Sequence, residues 1–273
     1  MRLLLLPLIV ILLSSVGCKE PAQNEWTSIF NGEDLSGWTI KVCGSPLGEN
    51  YKNTFVVEEG IMRVDYSEYE KFDVEYAHIY YNEKLSHYRL RLEYRFYGTR
   101  VPGSKGFTEL NSGVMFHSQS AESMGLDQRF PVSVEAQFLA EGEGDFSGRT
   151  TMNIATPGTS VVLEDGTLQR EHMTWTDAKA RLPGEWVQVE VEVHGSELVI
   201  HKIDGVEVLR YRDPQIDDYY LLPEDYPLSS GTILKDGYIA LQGESHPVDF
   251  RNIELMILPG NMEKGRAASP RLQ

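Results

Sequence analysis

Hydrophobic and polar positions alternate with a period of two through much of this chain. Tyr88, Leu90, Leu92, Tyr94 and Phe96 alternate with Arg89, Arg91, Glu93 and Arg95, the pattern of a strand with one buried face. Val187, Val189, Val191 and Val193 alternate in the same way with Gln188, Glu190, Glu192 and His194. Leu198 and Ile200 follow a Gly195-Ser196 turn, so the two runs predict a hairpin. Further strands are predicted at Thr54–Glu58, Ile61–Tyr66, Val114–Ser118, Val132–Leu139, Val206–Tyr211, Gly237–Gln242 and Val248–Ile257. No long amphipathic helix competes with them. Many strands separated by Gly- and Pro-containing turns predict an all-β fold, a two-sheet antiparallel jelly-roll sandwich, over an α/β fold. The segments Tyr97–Ser112, Ser120–Pro131 and Asp213–Ser230 are then long loops over one rim, and loops of that length are often functional.

The first residues break this pattern. Arg2 precedes an apolar run from Leu3 to Leu13, then Ser14, Ser15, Val16 and Gly17 lead directly to Cys18. A membrane-spanning helix needs about 20 apolar residues, so the order reads as a secretory signal peptide over 1–17. The cysteine after Val16-Gly17 resembles a lipobox, although Ser15 stands where Leu is commonest, and an ordinary signal with an incidental thiol is the other reading. Lipidation of Cys18 would tether the protein to a membrane without spanning it, in the cell envelope and facing the periplasm or exterior. Residues 18–25 are then a lipidated tether, 26–259 one domain and 260–273 a flexible tail, with no linker or repeat between them.

Composition narrows the partners. The net charge is −16, and removing residues 1–17 takes away only Arg2, leaving 24 basic against 41 acidic residues. No Lys/Arg cluster is present to displace counterions from a phosphate backbone, which argues against nucleic acid. The bland reading of the acidity is a soluble, self-repelling surface. The chain has two cysteines, so lipidation of Cys18 leaves Cys43 without an intramolecular partner and predicts no disulfide framework. Cys43 is most simply a small buried hydrophobe.

Strand parity selects candidate site residues. In Val132–Phe138, Val134, Ala136 and Phe138 share the apolar face, so Glu135 and Gln137 project from the other. By the same rule His117 and Gln119 lie opposite Val114 and Phe116, and Gln242 pairs with Glu244. If the three strands share a sheet, a carboxylate, an imidazole and several amides line its outer face, the groups that hydrogen-bond sugar hydroxyls. Against this, Glu190 and Glu192 show the same alternation and are read as facing water. HExxH, paired CxxC, Walker, GxGxxG and Gly-x-Ser-x-Gly motifs are absent, which removes the common zincin, nucleotide and α/β-hydrolase readings. A metal on His117, Glu135 and His246 is geometrically conceivable, but seven scattered histidines make coincidence the simpler account, and no cofactor is predicted. His172 and His201 carry no better individual signal.

Several blocks in order resemble one known family, the 3-keto-disaccharide hydrolase domain, over about Trp26 to Leu258. They are Ile29-Phe30-Asn31-Gly32-Glu33-Asp34-Leu35-Ser36-Gly37-Trp38, Phe55–Met62, Leu92–Phe96, Asn111–Phe116, Val134-Glu135-Ala136-Gln137, Gly184-Glu185-Trp186, Asp204-Gly205, and Ile239–Gln242 through Phe250–Ile253. The resemblance implies a concanavalin-A-like lectin/glucanase jelly roll and cleavage of glycosides oxidised at carbon 3. The ketone acidifies the proton on C2, so a base can remove it and the enolate can expel the glycosidic oxygen from C1, after which water adds. That chemistry needs a base, a proton donor and donors for the enolate oxygen.

On this reading Glu135 is the base or acid and His117 its partner. Asn111, Gln119, Gln137, Gln242, Glu244, His246 and Arg251 are binding or positioning groups. Phe250 and Ile253 change the parity of their strand, so a bulge turns Arg251 inward or leaves it in a rim salt bridge. His117 stands where many relatives carry Arg, which points to a subgroup with Met124–Asp127 and Thr156–Gly158 loops. The expected partner is an oligosaccharide or glycoside substrate. The alternative is a non-catalytic carbohydrate-binding lipoprotein, since one fold serves both; a scaffold role is weaker still. Binding modules rely on exposed aromatic platforms, and Trp26, Trp38, Trp175 and Trp186 sit mostly in structural motifs, which leans towards the enzyme.

Overall fold

The computed structural model describes residues 24–260. The signal peptide, Cys18 and nearly all of the tether and tail expected from the sequence lie outside them. Two antiparallel sheets face each other. The larger runs through Leu168–Gln169, Thr159–Leu163, Val206–Ile216, Leu198–Ile203, Val187–His194, His87–Phe96, Val248–Ile257, Ile61–Val64 and Phe55–Glu58, with Thr27–Ser28 added beside Val248–Ile257. The smaller has seven strands in the order Met173–Thr174, Asn153–Ala155, Val134–Leu139, Asn111–Ser118, Gly237–Gly243, Ala77–Leu85 and Trp38–Val42. The chain is therefore an all-β jelly-roll sandwich, as the alternation predicts.

The core follows from the parity of each strand. Tyr88, Leu90, Leu92, Tyr94 and Phe96 are all buried and meet Val134, Ala136 and Phe138 of the opposite sheet. Tyr94 and Phe138 stack across the gap with ring centroids 4.4 Å apart, a contact worth about 0.5–1.5 kcal/mol beyond burial. The predicted hairpin forms, with Val193 opposite Val199 and His194 opposite Leu198.

The outward face of the larger sheet is charged and self-paired. Arg89 and Lys202 bond Glu190, and the guanidinium groups of Arg95 and Arg251 both stand over the Trp186 ring. Cys43 is buried and free, and burial pushes its thiol upward.

Two strands of the smaller sheet carry no alternation. Ala77–Tyr81 is buried on both faces, and Trp38–Val42 holds a buried Lys41. Both are covered on the outside by the Ser120–Pro131 segment. The Lys41 ammonium donates to the carbonyls of Val42, Ser45 and Leu126, Tyr80 donates to the Met124 sulfur, and Phe130 packs edge-on to His78. The loop thus closes one half of the outer face of the smaller sheet and leaves the other half open.

Candidate active site

The open half holds a cavity of about 400 Å³. Register explains its floor. Gly113 pairs with Gln137, Met115 with Glu135, and Gln137 with Asn153, while Gln242 pairs with His78 and His78 with Lys41. The side chains of Asn153, Gln137, Gln242, His78 and Lys41 thus form one polar row across the sheet, interrupted only at Gly113. Glu135 fills that gap. A Cβ built on Gly113 would sit 2.2 Å from Glu135 Oε1 and 2.8 Å from its Cγ, so the carboxyl lies across the bare glycine backbone.

Four of the expected site residues meet here: Glu135, Gln137 and Glu244, selected by parity, and Asn111, implied by the resemblance, all line the cavity. Glu244 accepts from Asn111 Nδ2 at 2.7 Å and from Gln242 Nε2 at 3.3 Å. Gln137 accepts from Asn153 Nδ2 at 3.2 Å. Glu135 makes no hydrogen bond among the described residues. Burial pushes its carboxyl up to about 8. Glu244 is pushed well above the usual carboxylate range, first by burial and then by the charge of Glu135. Two such groups cannot both ionise cheaply, so the pair keeps at least one proton at neutral pH.

Four expected residues lie elsewhere. The pairing of Asn111–Ser118 with Gly237–Gly243 shifts between Met115 and Ser118, a bulge with His117 at φ 47°. The extra residue reverses parity, so His117 points between the sheets and its Nε2–H donates to the Gly195 carbonyl at 2.9 Å. Burial holds it neutral, down to about 4, and it is not the partner of Glu135. Gln119 anchors the covering loop: its Oε1 accepts from the Val132 N–H and its Nε2 donates to Ser123. His246 packs edge-on to Phe96, with Nδ1 3.5 Å from Glu109 Oε1, in a separate groove. Arg251 has the expected bulge after it, at Asn252 (φ 51°), but stays on the far sheet in a 2.7 Å ion pair with Glu93.

The metal set of His117, Glu135 and His246 is thereby taken apart, and among the described residues no three His, Cys, Asp or Glu side chains converge to hold an ion.

The walls come from loops. Phe107, Phe130 and Tyr220 belong to the three long segments expected over the rim, and all line the cavity. Sequence reasoning missed His172, Trp175, Phe146 and Arg149. His172 packs against Tyr220 with ring centroids 4.3 Å apart and the planes tilted by 34°, and burial lowers it to about 4, leaving a neutral imidazole. Trp175 is 60% exposed at the mouth. It presents an exposed aromatic face there, whereas the sequence reading put the tryptophans mostly in structural motifs. The chemical arrangement is two buried carboxyls of raised proton affinity and amides on the floor, with aromatic faces around and above.

This sandwich, with its cavity on the outer face of one sheet, places the chain in the galectin-like jelly-roll class. Two solved proteins from Parabacteroides distasonis ATCC 8503, both with the working name glycosyl hydrolase, match it with TM-scores of 0.52 and 0.53 at 17% and 16% identity. The matches cover 85% and 86% of this chain and 94% and 100% of theirs. A Bacillus subtilis protein of unknown function with a galectin-like fold matches with a TM-score of 0.50 at 12% identity, over 88% of this chain and 97% of that one. At these identities the likeness is one of fold. The chain itself belongs to the family described as the 3-keto-alpha-glucoside-1,2-lyase-like domain, whose profile matches residues 25–256. No curated protein matches it.

Proposed function

We propose that this protein cleaves the glycosidic bond of 3-keto-glycosides or disaccharides, by elimination across C2 and C1 followed by hydration. The observation that carries the reading is the carboxyl pair: Glu135, unbonded and lying over Gly113, beside Glu244 at the floor of a cavity large enough for a sugar. The carboxylate of Glu135 takes the proton from C2. Its raised affinity for protons suits a base that works near neutral pH. The electron pair enters the C3 carbonyl as an enolate. It returns to form the C1–C2 double bond, the C1–O bond breaks, and the leaving oxygen takes a proton from the carboxyl pair. Water then adds hydroxyl to C1 and hydrogen to C2. Glu244, tied to Asn111 and Gln242, holds the second proton and positions the first carboxyl.

Trp175 supports the other reading, a carbohydrate-binding protein without turnover, because an exposed indole at a cavity mouth is a stacking platform. Glu135→Gln separates the two. The enzyme reading requires that the variant lose turnover of a 3-keto-glucoside while still binding it. If the wild-type protein binds the sugar but has no turnover to lose, the binding reading stands. On either reading, export through residues 1–17 and a lipid on Cys18 would place the domain at the cell envelope with its sugar ligand.

A further inference from the structure

Removing the C2 proton places negative charge on the C3 oxygen, and once Glu135 and Glu244 are engaged as base and proton donor that oxygen needs a donor of its own, for which a cation is the strongest. Among the described residues, every arginine except Arg129 and Arg149 lies in an ion pair. Arg129 is exposed. Arg149 is half-buried and lines the cavity that holds Glu135 and Glu244.

Its Nη1 donates to the Glu109 carbonyl at 2.6 Å, while Nε and Nη2 have no partner among the described residues. Its guanidinium stands 5.3 Å from the Phe146 ring, which is also a cavity wall. Burial lowers its proton affinity, so the charge is held there at a cost. A half-buried guanidinium, fixed at one nitrogen and open at two, is built to receive an oxygen anion that forms inside the cavity.

We propose that Arg149 is a catalytic residue, donating through its free nitrogens to the C3 oxygen of the substrate and stabilising the enolate formed when C2 loses its proton. This assignment rests on the 3-keto-glycoside reading of the site. The reacting atoms balance as in that scheme: the C2–H pair becomes the C2–C3 enolate bond, the C3–O pair carries the charge against Arg149, and the charge leaves with the C1–O bond. The same contact explains why an unoxidised glycoside, with a neutral hydroxyl at C3, would gain no comparable stabilisation.

The test uses the purified protein with an aryl 3-keto-glucoside and with its unoxidised parent. It measures kcat and KM, and the exchange of the C2 hydrogen in D2O. Removing one oxyanion donor costs about 10²–10³ in kcat, so Arg149→Gln should lose that much turnover and C2 exchange with KM changed little, and Arg149→Lys should recover part of it. Wild-type turnover with Arg149→Gln equally active, or with an effect confined to KM, overturns the assignment of Arg149 alone. No wild-type turnover overturns the reading of the site and this assignment with it. Thermal unfolding of both variants separates a chemical loss from a folding one. If Arg149→Gln does not fold, the Lys variant decides: kcat equal to wild type overturns the proposal, and a fall in kcat and exchange at unchanged KM supports it.

Discussion

Changing Glu135 to Gln keeps the shape of the side chain and removes its charge, so it isolates the energetic burden of placing a carboxylate over Gly113. In the folded protein the group ionises near 8, against 4.5 when solvated, and burial is the cause. Between those values the folded state binds more protons at this site than the unfolded state, so stability is full below about pH 4.5 and declines as pH rises towards 8. At about 1.4 kcal/mol per pH unit the full decline is on the order of 5 kcal/mol. The amide of Glu135→Gln does not ionise, and the variant also relieves Glu244 of a neighbouring charge, although the burial of Glu244 remains. The variant should therefore match the wild type near pH 4.5 and exceed it by several kcal/mol at pH 8. Urea unfolding of both proteins at fixed ionic strength, from pH 4.5 to 8.5, measures the gap directly. A difference that stays constant across the range would refute the argument that Glu135 is held protonated by burial.

Other consequences follow from the same geometry. Gly113→Ala puts a methyl group where the Glu135 carboxyl lies; it should cost about 1–3 kcal/mol of stability by overpacking, and a displaced base should lower kcat by about 100-fold, read from urea curves and single-turnover rates. Activity against a 3-keto-glycoside should rise with pH through the Glu135 ionisation near 8, because the base must lose its proton; a kcat/KM profile already flat above pH 5 would contradict its role. Trp175→Ala should weaken sugar binding by about 1 kcal/mol, the scale of one aromatic contact, with kcat for bound substrate unchanged in a saturation series. Cys18→Ser should release the exported protein from membranes into the soluble fraction, and unchanged membrane partition would dismiss the lipid anchor.

Legibility in the sequence followed the physical signal at each place. Val187–His194 and His87–Phe96 alternate because one face meets the core and the other meets water, and both strands were plain. Ala77–Leu85 was not, because the Ser120–Pro131 segment buries the face that would otherwise be polar. The same parity rule found Glu135, Gln137 and Glu244, and failed at His117, where one extra residue in the strand turns the imidazole into the sandwich. Arg251 lies on a strand whose bulge was legible, yet the bulge falls after it and leaves it facing Glu93. Arg149, His172 and Trp175 lie on irregular segments with no period to read. The one local signal near Arg149 is Gly142, Gly144 and Gly148 around Phe146, where the chain folds tightly enough that a Cβ on Gly142 would meet Phe146 at 2.7 Å. Which irregular segment reaches the cavity depends on contacts far apart along the chain, such as Arg149 with Glu109.

The central claim is that a ketone at C3 activates the glycoside for a carboxyl pair on the cavity floor. The most direct test mixes the soluble domain with an aryl 3-keto-glucoside and, separately, with the parent glucoside, and follows release of the aglycone. Release from the keto sugar alone is the predicted result. Release from neither, with either sugar tightly bound, would contradict the account and leave Glu135 as a sugar ligand.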